Sequence, residues 1–256
     1  LLRIFGKDTL ESFLANKHIG LKDGEALTHR WLSKALERAQ QKVEQMNFEI
    51  RKNLLKFDNV YNDQRTVIYD QRREIMRAEN VEELVADIRH DVIDNLITRC
   101  IPAHAYAEQW DIDTLRSDSL RLFNIDIPAA DWAHEEGIDE SAIKSRITDL
   151  VDRKMAAKVA NSSPEIFRQI EKSLVLQTLD QHWKEHLLAL DHLRQGINLR
   201  AFGQRDPLNE FKAEAFGLFE QMLHTMRESI IAALSRVEFS IAPEVLEHMR
   251  AQQEAL

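Results

Sequence analysis

The sequence predicts an all-α protein: a long scaffold helix, a small helical wing subdomain inserted after it, and a long antiparallel helical hairpin. Three observations carry this expectation. The 256 residues include only 7 glycines and 5 prolines, with 30% charged residues, a composition suited to helices rather than to strands and turns. From Thr28 to about Met76 there is neither glycine nor proline. Two further stretches, each opened by a capping residue and a proline, flank the segment Asn198 to Asp206.

In chain order, residues 1–27 hold a short apolar pattern through Leu2, Ile4, Phe5, Leu10, Phe13 and Leu14, then Gly20 and Gly24, and read as the tail of an upstream domain. Because the pattern is already under way at Leu1, the chain reads as part of a longer protein. Residues 28–76 keep a helical period through Leu32, Leu36, Ala39, Val43, Ile50, Leu54, Phe57, Tyr61, Ile68 and Ile75. An unbroken helix of that length is about 70 Å long and serves as a strut, since no single compact core covers it. A coiled coil is disfavoured because the spacing holds no strict seven-residue repeat.

Residues 77–160 form the expected wing. They carry 10 Lys+Arg against 18 Asp+Glu, whereas the strut carries 10 against 7, so the acidity is concentrated here. That acidity reads as a solvated face, or as a surface that repels acidic lipid and attracts a basic client. Asn80 and Glu83 are placed as a capping box before a helix through Leu84, Ile88, Ile93 and Leu96 that must end near Pro102. A looser stretch with Trp110, Pro128, Trp132 and Gly137 follows, then a helix from about Ser141 to Ala160.

Residues 161–240 form the hairpin. Ser163-Pro164 opens its first arm, along which Ile166, Ile170, Leu174, Leu179, Trp183, Leu187 and Leu190 recur at helical spacing; Gly196 is expected to supply a left-handed turn at its end. Asp206-Pro207 opens the second arm, with Phe211, Leu218, Met222, Met226 and Ile230. Two matched apolar stripes on arms of about 45 Å bury each other best when antiparallel. Residues 241–256 are left as the start of a C-terminal linker.

Composition excludes several classes of function. A net charge of −9 argues against nucleic acid as the main partner. The single cysteine, Cys100, excludes an internal disulfide and a cysteine metal cluster, and reads as a small buried hydrophobe near a helix end. No apolar run approaches the roughly 20 residues needed to span a bilayer, so a membrane role would be peripheral. There is no phosphate-binding glycine loop and no defensible Ser-His-Asp or Cys-His constellation.

Two features carry sharper readings. His182-Trp183-Lys184-Glu185-His186 matches the His-x-x-Glu-His pattern of a zinc hydrolase, with residues four apart on one helix face; the alternative is that His182 and His186 lie at the helix surface or against the strut. The hairpin tip, Leu199-Arg200-Ala201-Phe202-Gly203-Gln204-Arg205, puts a phenylalanine between two arginines. Such a ring tucks under its loop or touches a partner, while the arginines can engage carboxylates, carbonyls or lipid phosphate.

Several motifs resemble the SecA family of bacterial preprotein translocase motors. They are Leu176-Gln177-Thr178-Leu179-Asp180, Trp183-Lys184-Glu185-His186-Leu187, Asp191 to Ile197 followed by Leu199-Arg200, and, in the strut, Asn47 to Lys52, Leu54-Leu55, Asp58, Val60 and Asn62 to Arg65. The resemblance implies that residues 1–27 end the second motor domain, that 28–76 and the hairpin form the helical scaffold domain, and that 77–160 form the helical wing. It implies no cofactor and no enzymatic site in this chain, with ATP and magnesium held by motor domains upstream and the family's zinc tail also outside it. It implies a cytoplasmic location, peripheral at the inner membrane. The implied partners are the SecYEG channel, unfolded preprotein and the protein's own motor domains, with anionic lipid and a second copy of the chain as further options. Phe202 matches a tip position that contacts the moving polypeptide, where the family often has tyrosine. Arg51, Asp58 and Trp183 fall on motifs that would couple strut to motor, although Arg51 and Asp58 also read as an ordinary pair of helix charges. A passive helical scaffold remains the plainest alternative.

Overall fold

The computed structural model describes residues 30–102, 105–197 and 206–237. Among these residues there are seven α-helices, one 3₁₀ turn and no strand, so the all-α expectation holds. The helices are α1 (Arg30–Arg77), α2 (Glu82–Cys100), α3 (Ile112–Phe123), α4 (Ala129–Ala133), α5 (Glu140–Ala160), α6 (Pro164–Ile197) and α7 (Pro207–Arg236). The chain divides into two compact units between Asn62 and Asp63, inside α1.

In the first unit the described residues are the 30–62 part of α1. Its large apolar side chains Leu36, Met46, Phe48, Ile50, Leu54 and Leu55 are exposed.

In the second unit the rest of α1 joins the wing and the hairpin around one core. Ile68 and Ile75 of α1, Val85, Val92 and Ile93 of α2, Leu115 and Leu122 of α3, Ile143 and Ile147 of α5, Val175 and Leu179 of α6, and Met226 and Ile230 of α7 are all buried in it. The arms α6 and α7 run antiparallel, because His182 meets Ser229 while His186 meets Phe219 further toward the turn.

Capping residues set most boundaries. Asp111, Asp139 and Asp206 each accept a hydrogen bond from the first turn of the helix they precede, from Thr114, Ala142 and Leu208 respectively. Three lysines close helix C-termini. Lys172 Nζ donates to Met76 O and Ala78 O at the end of α1, Lys154 to Phe123 O and Asn124 O after α3, and Lys158 to Leu234 O, Ser235 O and Val237 O at the end of α7. Each ammonium satisfies orphan carbonyls at the negative end of a helix dipole.

Several expectations need correction. The stretch read as loose contains α3 and α4; α3 is stopped by Asn124 in the left-handed conformation, φ 53°. The expected capping box at Asn80 and Glu83 is instead a local bond in which Glu82 N–H donates to Asn80 Oδ1 at 3.3 Å, and Val81 is the residue before α2. Leu84 and Ile166, assigned to buried stripes, are exposed, and the neighbouring Val85 and Phe167 are buried in their place. Gly196 is not a left-handed terminator: α6 continues through it to Ile197, whose burial favours the extra helical residue.

Candidate functional site

The residues with the most specific geometry lie where the 63–77 part of α1 meets the hairpin. Three side-chain links fix α1 antiparallel to α6: Gln64 with His186, Arg72 with Asp180, and the end of α1 with Lys172. Arg72 grips Asp180 with a fork, Nε to Oδ1 at 2.8 Å and Nη2 to Oδ2 at 3.2 Å, and that hydrogen bond pushes the guanidinium pKa further up. The pair is about one-third exposed on either side, so water and salt screen it.

The link at Gln64 is different because it is buried. Its Nε2 donates to Ala215 O of α7 at 3.1 Å, which leaves Oε1 to face His186 Nε2 of α6 at 2.8 Å. Oε1 can only accept, so His186 Nε2 carries the hydrogen and the tautomer is set. One glutamine thereby ties α1 to both arms of the hairpin. The imidazole lies 5.6 Å, centroid to centroid, from both Trp183 and Phe219, and burial lowers its pKa below the ordinary 6.5. His186 is therefore neutral at physiological pH, a packing and hydrogen-bonding group rather than a charge.

The wing is attached to the same hairpin by ion pairs. Arg168 of α6 bridges Glu82 of α2 at 2.5 Å and Glu171 of its own helix at 2.9 Å. Glu171 is buried, and desolvation raises its pKa even against the attraction of Arg168. On the other arm, Glu228 receives Arg121 of α3 at 3.0 Å and Arg99 of α2 at 3.7 Å.

Comparison with known proteins decides the lineage. The family model for the SecA wing and scaffold domain matches residues 26–238. The chain belongs to the SecA family. It is 55% identical over 243 residues to the protein translocase subunit SecA of Acidiphilium cryptum, covering 95% of this chain and 26% of that protein. The SecA subunits of Afipia carboxidovorans and Bradyrhizobium diazoefficiens are 56% and 54% identical, over 93% and 95% of this chain and 25% and 26% of theirs. The chain thus spans about a quarter of the length of the curated relatives it matches. The resemblance read from the strut and hairpin motifs is borne out.

Among the SecA-like residues singled out from sequence, Trp183 is buried on α6, where its neighbours along a surface cleft include Tyr69, Arg72 and Met76 of α1. Arg51 and Asp58 are exposed on the 30–62 part of α1. The tip residues Leu199 to Arg205 lie outside the described residues. The two histidines of the His-x-x-Glu-His match are used separately, His182 with Ser229 Oγ of α7 at 3.1 Å and His186 with Gln64 of α1, while Glu185 is exposed and bonded to Gln181. That geometry serves packing. Among the described residues no group of three His, Cys, Asp or Glu side chains is arranged to hold a metal. Cys100 is the buried last residue of α2, and desolvation raises its thiol pKa. Among the described residues no helix is long and apolar enough to cross a membrane.

The joint residues Gln64, Arg72, Lys172 and Asp180 have no role in the sequence reading. Gln64 and Asp180 do lie within the family-like motifs, but their partners are 122 and 108 positions away. A single sequence shows no pairing at that distance.

Proposed function

We propose that this chain transmits motor motion to a translocating polypeptide. In this reading α1 couples nucleotide-driven movement of motor domains, which bind ATP and magnesium elsewhere in the full-length protein, to the α6–α7 hairpin. The residues joining the arms, Leu199, Arg200, Ala201, Phe202, Gly203, Gln204 and Arg205, contact preprotein at the cytoplasmic mouth of the SecYEG channel. The protein works peripherally at the inner membrane, and residues 1–27, 28–76, 77–160 and 161–240 are the motor end, strut, wing and finger.

The observation that supports this reading is the joint at Gln64, Arg72 and Lys172. A hairpin fixed at three levels to the 63–77 part of α1 moves with that part, so displacement there reaches the hairpin rather than being lost in sliding. The exposed apolar side chains Phe48, Ile50, Leu54 and Leu55, with Arg51 and Asp58 among them, suit a motor-facing surface. Trp183 supports it from within the joint.

The test is Phe202→Gly in the full-length protein with the reconstituted channel. Basal ATP turnover should stay largely unchanged while preprotein transport is lost, and a photocrosslinker at residue 202 should capture the transiting chain. Unimpaired transport without crosslinks would leave the hairpin as a passive scaffold.

A further inference from the structure

An open groove of about 470 Å³ is shaped by α1, α2, α6 and α7. Its floor is apolar: Ile75 from α1, Val175 and Leu179 from α6, and Leu223, Met226 and Ile230 from α7. Its rim is acidic. Glu83, Asp87 and Asp91 stand on α2 at successive intervals of four residues, so their carboxylates form a row about 12 Å long at the helical rise. Glu74 of α1 adds a fourth, and Arg227 is the basic side chain among the lining residues. All four carboxyl residues are exposed, and among the described residues none forms an ion pair, whereas the nearby Glu82 and Asp94 are held by Arg168 and Lys144.

We propose that this groove is a docking site for a basic amphipathic helix of another polypeptide. The apolar floor takes the ligand's apolar stripe, and the row of carboxylates takes lysines or arginines that recur every four residues along its flank. The volume is that of a site able to enclose a few apolar side chains. Charge selects this occupant over two others. An anionic membrane is repelled by the rim, and so is a second copy of this chain, whose net charge is −9 and whose wing region is its most acidic part. The inference does not depend on the role given to the hairpin tip.

The probe is a fluorescent leucine–lysine peptide patterned as an amphipathic helix, titrated into the full-length protein by anisotropy. The expected result is binding that weakens with added salt and weakens roughly tenfold in the triple variant Glu83→Gln, Asp87→Asn, Asp91→Asn, since each exposed ion pair contributes on the order of two- to three-fold. The same peptide with glutamate in place of lysine should not bind. Leu84, exposed at the groove edge, places a photocrosslinker without disturbing the core, and it should capture the lysine peptide. Equal binding by the triple variant, equal binding of the glutamate peptide, or no crosslink from position 84 each overturns the proposal. A change in self-association with unchanged peptide affinity would assign the groove to a second copy and overturn it as well.

Discussion

The two parts of α1 belong to one continuous helix with one apolar period, yet their side chains have opposite fates. Toward the C-terminus, Ile68 and Ile75 are buried and Gln64 is enclosed by both hairpin arms. Toward the N-terminus, Ala39 is buried, but Leu36, Met46, Phe48, Ile50, Leu54 and Leu55 are exposed. Periodicity therefore identifies a stripe that is built to be covered without identifying the cover. The chain spans about a quarter of its relatives' length, and exposed apolar side chains gathered on one helix are the kind of surface that marks an interaction site.

The largest expected effect tests that contrast directly. Ile68 is 0% exposed, and Ile68→Ala should destabilise the second unit by about 2–5 kcal/mol, through lost transfer energy and the cavity left behind. Leu54, 46% exposed, should change stability by no more than about 0.5 kcal/mol when truncated to alanine in the 256-residue chain. Urea unfolding followed by intrinsic fluorescence measures both. Similar losses for the two variants would break the comparison and imply that the N-terminal stripe is already covered.

A smaller effect concerns the polar thread. Gln64→Ala removes the acceptor of a buried imidazole N–H and the donor to Ala215 O, at a cost of about 1–3 kcal/mol for stranded buried polar groups. The His186→Phe variant removes the donor as well, so combining it with Gln64→Ala should cost less than the sum of the two single changes. Strict additivity in that double-mutant cycle would show that the thread does not join strut to hairpin as one unit.

The helices were readable in the sequence where a local rule governs them. The absence of glycine and proline announced α1, and proline after a capping residue announced both arms. Elsewhere local rules were available but compete. Asp111 followed by Ile112, Leu115, Leu122 and Phe123 carries an N-cap and a helical stripe, yet the tryptophans and prolines around it point to a loop. Gly196 shows the reverse, a terminator by propensity that tertiary burial of Ile197 overrides. The joint was the least legible part, since Gln64 and Asp180 look like solvated helix positions until α1 and α6 are placed side by side. For the tip, which lies outside the described residues, pattern supplies only an aromatic between arginines, and the role proposed for it rests on family resemblance.

The finest distinction is electrostatic and sets two buried titratable groups of the second unit against each other. Burial depresses the His186 pKa, so the unfolded ring binds a proton more readily than the folded one. Its stabilising contribution is full above 6.5 and is lost as pH falls from there through the depressed folded value. Burial raises the Glu171 pKa, so its contribution is present below 4.5 and is lost as pH rises through the folded value. The two groups therefore slope stability in opposite directions across mildly acid pH. His186→Gln, which keeps an N–H for Gln64 Oε1, should flatten the fall in stability below pH 6.5 while changing little at pH 8. Glu171→Gln should instead steepen the fall toward acid, by removing the group that gains there. Urea midpoints measured across this range separate the two, and an unchanged acid slope in His186→Gln would mean that the ring titrates alike in folded and unfolded chains, contrary to its burial between Trp183 and Phe219.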